Sequence, residues 1–169
     1  IFVDNDKFEE AITSLQAILM PTSHKMSSLP DKERKAMIDY AYMAMGRIYY
    51  EQREFLDAAR MYRRVSRNGS NFYDSLFEQS WAFFLAGYPS HALGALHAVE
   101  SPFYGKVFNP EAPILRSLVS YWLCRYGDSR NALADFLEMH GPAVEALEGF
   151  LDRKRLDADT SYQLFENLI

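Results

Sequence analysis

The chain has 169 residues, of which 49% are hydrophobic and 24% are charged, and its formal net charge is −5. This composition is that of a folded protein and excludes a largely disordered chain, which needs low hydrophobicity and a high net charge. The acidic balance argues against nucleic-acid binding, because that function draws its affinity from basic side chains that neutralise phosphates. The longest apolar stretches are far shorter than the roughly 18 residues of a membrane helix, so we expect no membrane span.

Apolar residues at helical spacing open the chain. They predict a first helix that Pro21 stops. The polar stretch at residues 22–29 predicts a loop. Pro30 then suits the start of a helix, where the missing N–H of proline costs nothing, and predicts a long helix that extends to Gln52. The apolar residues of the first helix are Phe8, Ala11, Leu15 and Ile18.

A pattern of large and small residues then recurs with a period of 34. Residues 86–89 carry turn signals between the two helices of the second copy, and Pro102 follows that copy. Small residues let two antiparallel helices approach closely, and such hairpins must stack because one alone cannot bury its apolar faces. The first copy is Tyr42, Gly46 and Tyr49, then Ala58, Tyr62 and Val65; the second is Leu76, Ser80 and Phe83, then Ala92, Leu96 and Val99.

The first copy resembles the tetratricopeptide repeat residue for residue. Tyr42, Met45, Gly46, Tyr49, Ala58 and Tyr62 stand where that family usually has Trp, Leu, Gly, Tyr, Ala and Phe. The resemblance covers about residues 8–140. It implies an all-α fold, a right-handed superhelical solenoid of antiparallel helix hairpins.

Under this resemblance, residues 1–169 form a single domain. Because the chain begins at Ile1 without a methionine or a signal-like segment, we expect it to be a piece of a longer protein. A half repeat is expected at residues 5–21, and repeats at about 39–70, 73–106 and 111–141. Residues 143–169 are expected to form capping helices, one over 143–153 and one over 157–169.

The third repeat is looser than the others. Its first helix is expected from about Glu111 to Arg125, followed by a turn at residues 126–129. The second helix is expected to end at Gly141-Pro142. In this second helix, the residues predicted to repeat Ala58, Tyr62 and Val65 of the first copy are Ala132, Phe136 and Met139.

The sequence shows no pattern typical of an active site. Paired carboxylates such as Asp74 and Glu78 are explained by exposed helix faces and by helix starts, where the dipole favours negative charge. Cys124 is expected to be a packing residue in an apolar helix. No phosphate-binding glycine loop or nucleophile elbow is present. The histidines lack the spacing that places two metal ligands on one helix face: His24, His91, His97 and His140. We therefore expect no enzyme, no metal and no cofactor.

A basic run occupies the second helix of the first repeat. Its arginines are spaced to gather positive charge on one side of the helix. A solvated face near a helix C-terminus accounts for such a run, since cations are favoured there, and a site for an anionic partner is the alternative. The arginines are Arg60, Arg63, Arg64 and Arg67, with Arg53 nearby.

The resemblance also implies a binding surface, because in this family the first helix of each hairpin lines a concave groove. The matching positions are Tyr40, Met43, Arg47 and Tyr50, then Asp74, Phe77, Trp81 and Phe84, with Tyr121 and Arg125 as their continuation. Aromatic residues and arginine dominate the binding energy of interfaces. The alternative is that these aromatic residues pack against other helices of the same protein.

Two further features narrow this expectation. Chaperone-binding members of the family hold a C-terminal carboxylate with Lys and Asn, whereas the matching positions here carry Met43, Arg47 and Glu78, so no such clamp is expected. The run from Ser70 to Trp81 resembles bacterial envelope proteins of this class, such as outer-membrane assembly lipoproteins and periplasmic coordinators of cell division. It suggests a scaffold of the bacterial cell envelope.

We therefore expect a non-catalytic scaffold that binds a peptide or helix of another protein and does not bind nucleic acid. A structural segment of a larger solenoid with no site of its own, and a self-association module, are the alternatives.

Overall fold

The computed structural model describes residues 5–20, 29–105 and 107–154, and within these residues the chain is all-helical, as expected. The predicted long helix is confirmed and ends one residue before Gln52. A short 3₁₀ helix lies at Pro102–Tyr104. The α-helices of the described part are α1 (Asn5–Leu19), α2 (Asp31–Glu51), α3 (Phe55–Tyr62), α4 (Phe72–Leu85), α5 (Pro89–Val99), α6 (Glu111–Trp122) and α7 (Tyr126–Lys154).

Each helix packs against the next one along the chain, and α4 also contacts α6. One core cluster joins α2, α3 and α4, with Met43, Tyr62 and Ala82 among its buried members. A second joins α5 and α6 through residues such as Leu96 and Leu115. Phe83 packs against both clusters, so the apolar core continues from one helix pair to the next.

Three helices end in the same type of turn. Arg53, Gly87 and Cys124 follow α2, α4 and α6, and they adopt positive φ angles of 64°, 82° and 58°. In each turn the N–H of this residue donates to the carbonyl three residues back, and the next N–H donates to the carbonyl five residues before itself. This pattern is a Schellman motif. The three turn residues lie 34 and 37 positions apart and therefore fix the register of three helix hairpins.

The second helix of each hairpin buries a small residue at the same distance from the turn. Ala58, Ala92 and Ser129 all lie five positions after the turn residue and are all buried. In the first hairpin, a Cβ on Gly46 would lie 2.7 Å from Cδ1 of Tyr62. In the third, the hydroxyl of Ser129 is 3.0 Å from that of Ser117, the residue in register with Gly46. The predicted role of Gly46 in a close helix approach is confirmed.

The third hairpin corrects the sequence analysis. Its turn lies at residues 123–125, and α7 already begins at Tyr126, so the turn predicted at 126–129 is wrong. Cys124 is exposed in this turn and is not a packing residue of a helix. Gly127 suggested a turn, whereas the actual turn places a non-glycine residue at positive φ, which composition does not reveal. The residues in register with Ala58, Tyr62 and Val65 are therefore Ser129, Leu133 and Phe136, and not Ala132, Phe136 and Met139.

Two predicted helix ends also differ from the structure. Helix α7 continues through Gly141 and Pro142, so the predicted stop there and the separate helix over 143–153 are wrong. Proline removes one backbone hydrogen bond but does not terminate this 29-residue helix. Helix α3 ends at Tyr62, so Arg63, Arg64 and Arg67 follow the helix and do not lie on it.

Some predictions fall outside the described residues, namely most of the loop at 22–29, His24, and the capping helix over 157–169. Within the described part, no helix combines the length and apolar character that a membrane crossing requires.

Candidate functional site: an aromatic surface beside the third turn

The predicted groove residues of α2 separate into buried and exposed side chains. Met43 is only 4% exposed and belongs to the core, so it cannot contribute to a binding surface, and the prediction for this residue is wrong. Its neighbours in the first core cluster include Tyr62 and Ala82, which enclose it from α3 and α4. Tyr40 and Arg47 are exposed on the same helix.

Arg47 is held by a carboxylate of the next hairpin. Its Nε lies 3.0 and 3.1 Å from the two carboxylate oxygens of Glu78 on α4. The hydrogen bond with Glu78 raises the pKa of Arg47. Burial raises the pKa of Tyr62 well above its usual value, and the charge of Glu78 and a hydrogen bond to it add to this effect. Arg47 therefore ties two hairpins together and does not present a free guanidinium to a partner's carboxylate.

Four further groove residues are only partly accessible. Tyr50, Phe77, Trp81 and Phe84 are half-buried and pack against the two core clusters. Tyr50 makes an edge contact with Phe55, with ring centroids 5.3 Å apart. Packing within the chain, the alternative considered for these aromatic residues, thus accounts for much of their apolar surface.

Two exposed aromatic residues lie next to each other at the end of α6. Tyr121 is 62% exposed and Trp122 is 70% exposed. Trp122 meets Phe84 edge to face, with centroids 6.1 Å apart, and Tyr121 meets Tyr126 at 5.5 Å. Ile114 and Leu118 are also exposed and stand at helical spacing before Tyr121. We call this set the aromatic surface: Phe84, Ile114, Leu118, Tyr121, Trp122 and Tyr126.

The turn register explains which of these residues the sequence analysis found. Tyr121 lies three positions before its turn residue, as Tyr50 and Phe84 do before theirs. It therefore has the predicted register with these two residues. Arg125 lies in the turn itself and pairs with Asp128 at 2.6 Å, off the predicted helix face. The sequence did not predict Ile114, Leu118 and Trp122 as members of this surface. With the correct register, Ile114 and Leu118 match Met43 and Arg47, and this was the signal available in the sequence.

Other polar groups have structural roles. His91 contacts the rings of Phe83 and Tyr88, with centroids 5.2 and 5.7 Å away. Arg60 pairs with Asp57 at 2.6 Å within α3. Among the described residues, no group of three or more His, Cys, Asp or Glu side chains is arranged to hold a metal ion.

Comparison of the chain with protein-family models, with curated proteins and with solved structures finds no match. The tetratricopeptide resemblance therefore rests on the sequence positions. The repeated turns and the small residue buried at the same position in each hairpin are compatible with it.

Proposed function

We propose that the chain is a tetratricopeptide-like right-handed solenoid that acts as a non-catalytic scaffold and binds a peptide or helix of another protein. Three hairpins with the same turn, small residues at the same position inside each, and packing of each helix on the next support a stack of repeats. Such a stack offers an extended surface built from the first helix of each unit.

The exposure of Tyr121 and Trp122 carries the proposal. Neither ring is needed to fill the core, which α6 contributes to through Leu115 and Val119. Large aromatic side chains with this exposure are typical anchors of protein interfaces. Ile114, Leu118 and Tyr121 present an apolar face at the spacing that an amphipathic helix of a partner can match.

Removing both anchors is expected to abolish partner capture while leaving the fold intact. Tyr121→Ala combined with Trp122→Ala should lower the captured amount at least about ten-fold, since anchor residues contribute 2 kcal/mol or more each. The measurement is quantitative affinity capture from an extract of the source organism. Circular dichroism should show the same helix content as in the wild type, because both rings are mostly outside the core.

Phe103→Ala is the matched control, since this ring is also highly exposed but lies in the 3₁₀ helix outside the aromatic surface. Capture unchanged in the double variant, or lost equally in the control, would refute the proposal. Trp81→Ala and Tyr50→Ala are poorer tests, because both side chains pack against the core and their loss would also perturb folding.

A second candidate function is self-association through α7. Leu133, Leu137, Val144, Leu147 and Leu151 are all exposed and recur on one side of this helix. Leu133 is in register with Tyr62 and Leu96, which are buried beneath the following helix. Under this candidate, light scattering would show a mass that rises with concentration, and Leu147→Lys would suppress the rise. A constant mass of 19.5 kDa at every concentration would rule it out.

A further inference from the structure

A cleft of about 620 Å³ lies where the C-terminal end of α5, the following loop, α6 and α7 meet. It is separate from the aromatic surface, with no lining residue in common. Tyr73 and Tyr104 form part of its wall, and their rings meet edge to face with centroids 5.0 Å apart. Apolar contact is available from Val99 and Met139. Its volume lies within the range typical of ligand-binding clefts.

Acidic residues outnumber basic residues among the described residues that line this cleft. The Nη2 of Arg116 donates a hydrogen bond of 2.7 Å to Asp135 Oδ2. Its Nε lies 3.3 Å from Glu100 Oε1, which is an ion-pair distance without hydrogen-bond geometry. Glu138 is a third carboxylate in the lining. The described lining residues therefore include three carboxylates and one guanidinium, and this part of the cleft carries an excess of negative charge.

The excess of negative charge is unfavourable for the ionised carboxylate of Glu100, because this side chain is partly buried. Its side chain is 23% exposed, so water compensates its charge only in part. Burial raises the pKa of the Glu100 carboxyl, although Arg116 and His97 act in the opposite direction. The pairing with Arg116 thus does not fully offset the loss of solvent. A second cation placed in the cleft would reduce this cost.

We infer that the cleft receives a basic side chain, lysine or arginine, of a bound polypeptide. The ammonium or guanidinium group would lie against the carboxylates of Glu100 and Glu138 and near the ring faces of the tyrosines. The aliphatic stem of either side chain would lie on Val99 and Met139. This inference rests on the proposed function only in taking the ligand to be a polypeptide. A free amine would offer the same positive charge to the carboxylates.

The test uses fluorescence anisotropy with a fluorescein-labelled Gly-Ser peptide that carries two central arginines, on the full chain. We expect Glu138→Lys to weaken binding at least about ten-fold, the loss that a change of 1.4 kcal/mol corresponds to. Glu145→Lys is the matched control, because Glu145 is exposed on the same helix outside the cleft, and it should change the affinity less than two-fold. Equal losses in both variants would show unspecific attraction and overturn the inference.

Three further arms identify the ligand. A peptide with citrulline in place of arginine should not bind, and equal binding would refute a role for the charge. Free argininamide should compete at least ten-fold less well than the peptide, and equal competition would replace the polypeptide by a free amine. Lys106 lies outside the described residues; Lys106→Ala should leave the affinity unchanged, and a several-fold gain would show that the chain supplies its own cation.

Failure of this inference is distinguishable from failure of the proposed function. The double alanine variant at Tyr121 and Trp122 should bind the arginine peptide as the wild type does, because neither ring lines the cleft. If peptide binding persists while partner capture does not depend on the aromatic surface, the cleft stands and the proposed function fails. If capture depends on the aromatic surface but Glu138→Lys leaves peptide binding unchanged, the proposed function stands and the cleft inference fails.

Discussion

Replacing Gly46 by alanine is expected to lower the free energy of unfolding by about 2 kcal/mol, the middle of the range for overpacked cores. A Cβ at this position would lie closer than 3 Å to three atoms of the Tyr62 ring. Tyr62 cannot easily move, because it is 3% exposed and packed within the first core cluster. The substitution therefore forces α2 and α3 apart.

The sign of this effect distinguishes close packing from helix propensity. At an open helical site, glycine to alanine stabilises by roughly 0.8–1.0 kcal/mol. Gly94 on α5 is such a site, since nothing lies within 4 Å of its ideal Cβ. Urea denaturation should show Gly94→Ala gaining stability while Gly46→Ala loses it. A Gly46→Ala protein as stable as the wild type would contradict the close approach of the first hairpin.

Leu115→Ala is expected to have the largest effect on stability, a loss of about 3 kcal/mol, as for other buried leucines. Leu115 on α6 is 0% exposed and packs in the second core cluster with Leu96 and Val99 of α5. This cluster joins the second hairpin to the third. Truncating Leu115 leaves a cavity at that junction, so the midpoint of urea unfolding should fall sharply.

Leu118→Ala provides the matched control on the same helix. Leu118 is 42% exposed, so its truncation should cost less than about 0.5 kcal/mol, the usual range for surface positions. As a member of the aromatic surface it should instead weaken partner capture. Equal destabilisation by the two substitutions would mean that the face of α6 with Leu115 does not pack against α5.

Local patterns predict much of the fold. The all-helical class was implied by the tetratricopeptide resemblance, and the long helix α2 follows from Pro30 and the residues after it. The period of 34 between the first two hairpins appears in the structure as the spacing of Arg53 and Gly87. The third hairpin was placed wrongly because its turn residue lies 37 positions after Gly87 rather than 34, and because Gly127, which suggested a turn, lies inside α7.

The candidate site could be predicted only in part. Tyr121 is exposed, as a groove position requires, and its role stays a prediction. The error in register concealed Ile114 and Leu118, and Met43 was assigned to a surface although α3 and α4 enclose it. The ion pairs of Arg116 on α6 join it to Glu100, which follows the end of α5 and lies 16 positions earlier, and to Asp135 on α7, 19 positions later. Spacing rules describe one helix at a time, so contacts of this kind emerge only when the helices are packed.

The most direct measurement of the central claim is site-specific photo-crosslinking in the cells that produce the protein. A benzophenone amino acid in place of Tyr121 should give a discrete adduct with one partner protein, and adding Trp122→Ala should remove it. The same probe in place of Arg64, exposed in the turn after α3, should not give this adduct. No adduct at Tyr121, or the same adducts from both positions, would contradict a partner-binding role for the aromatic surface.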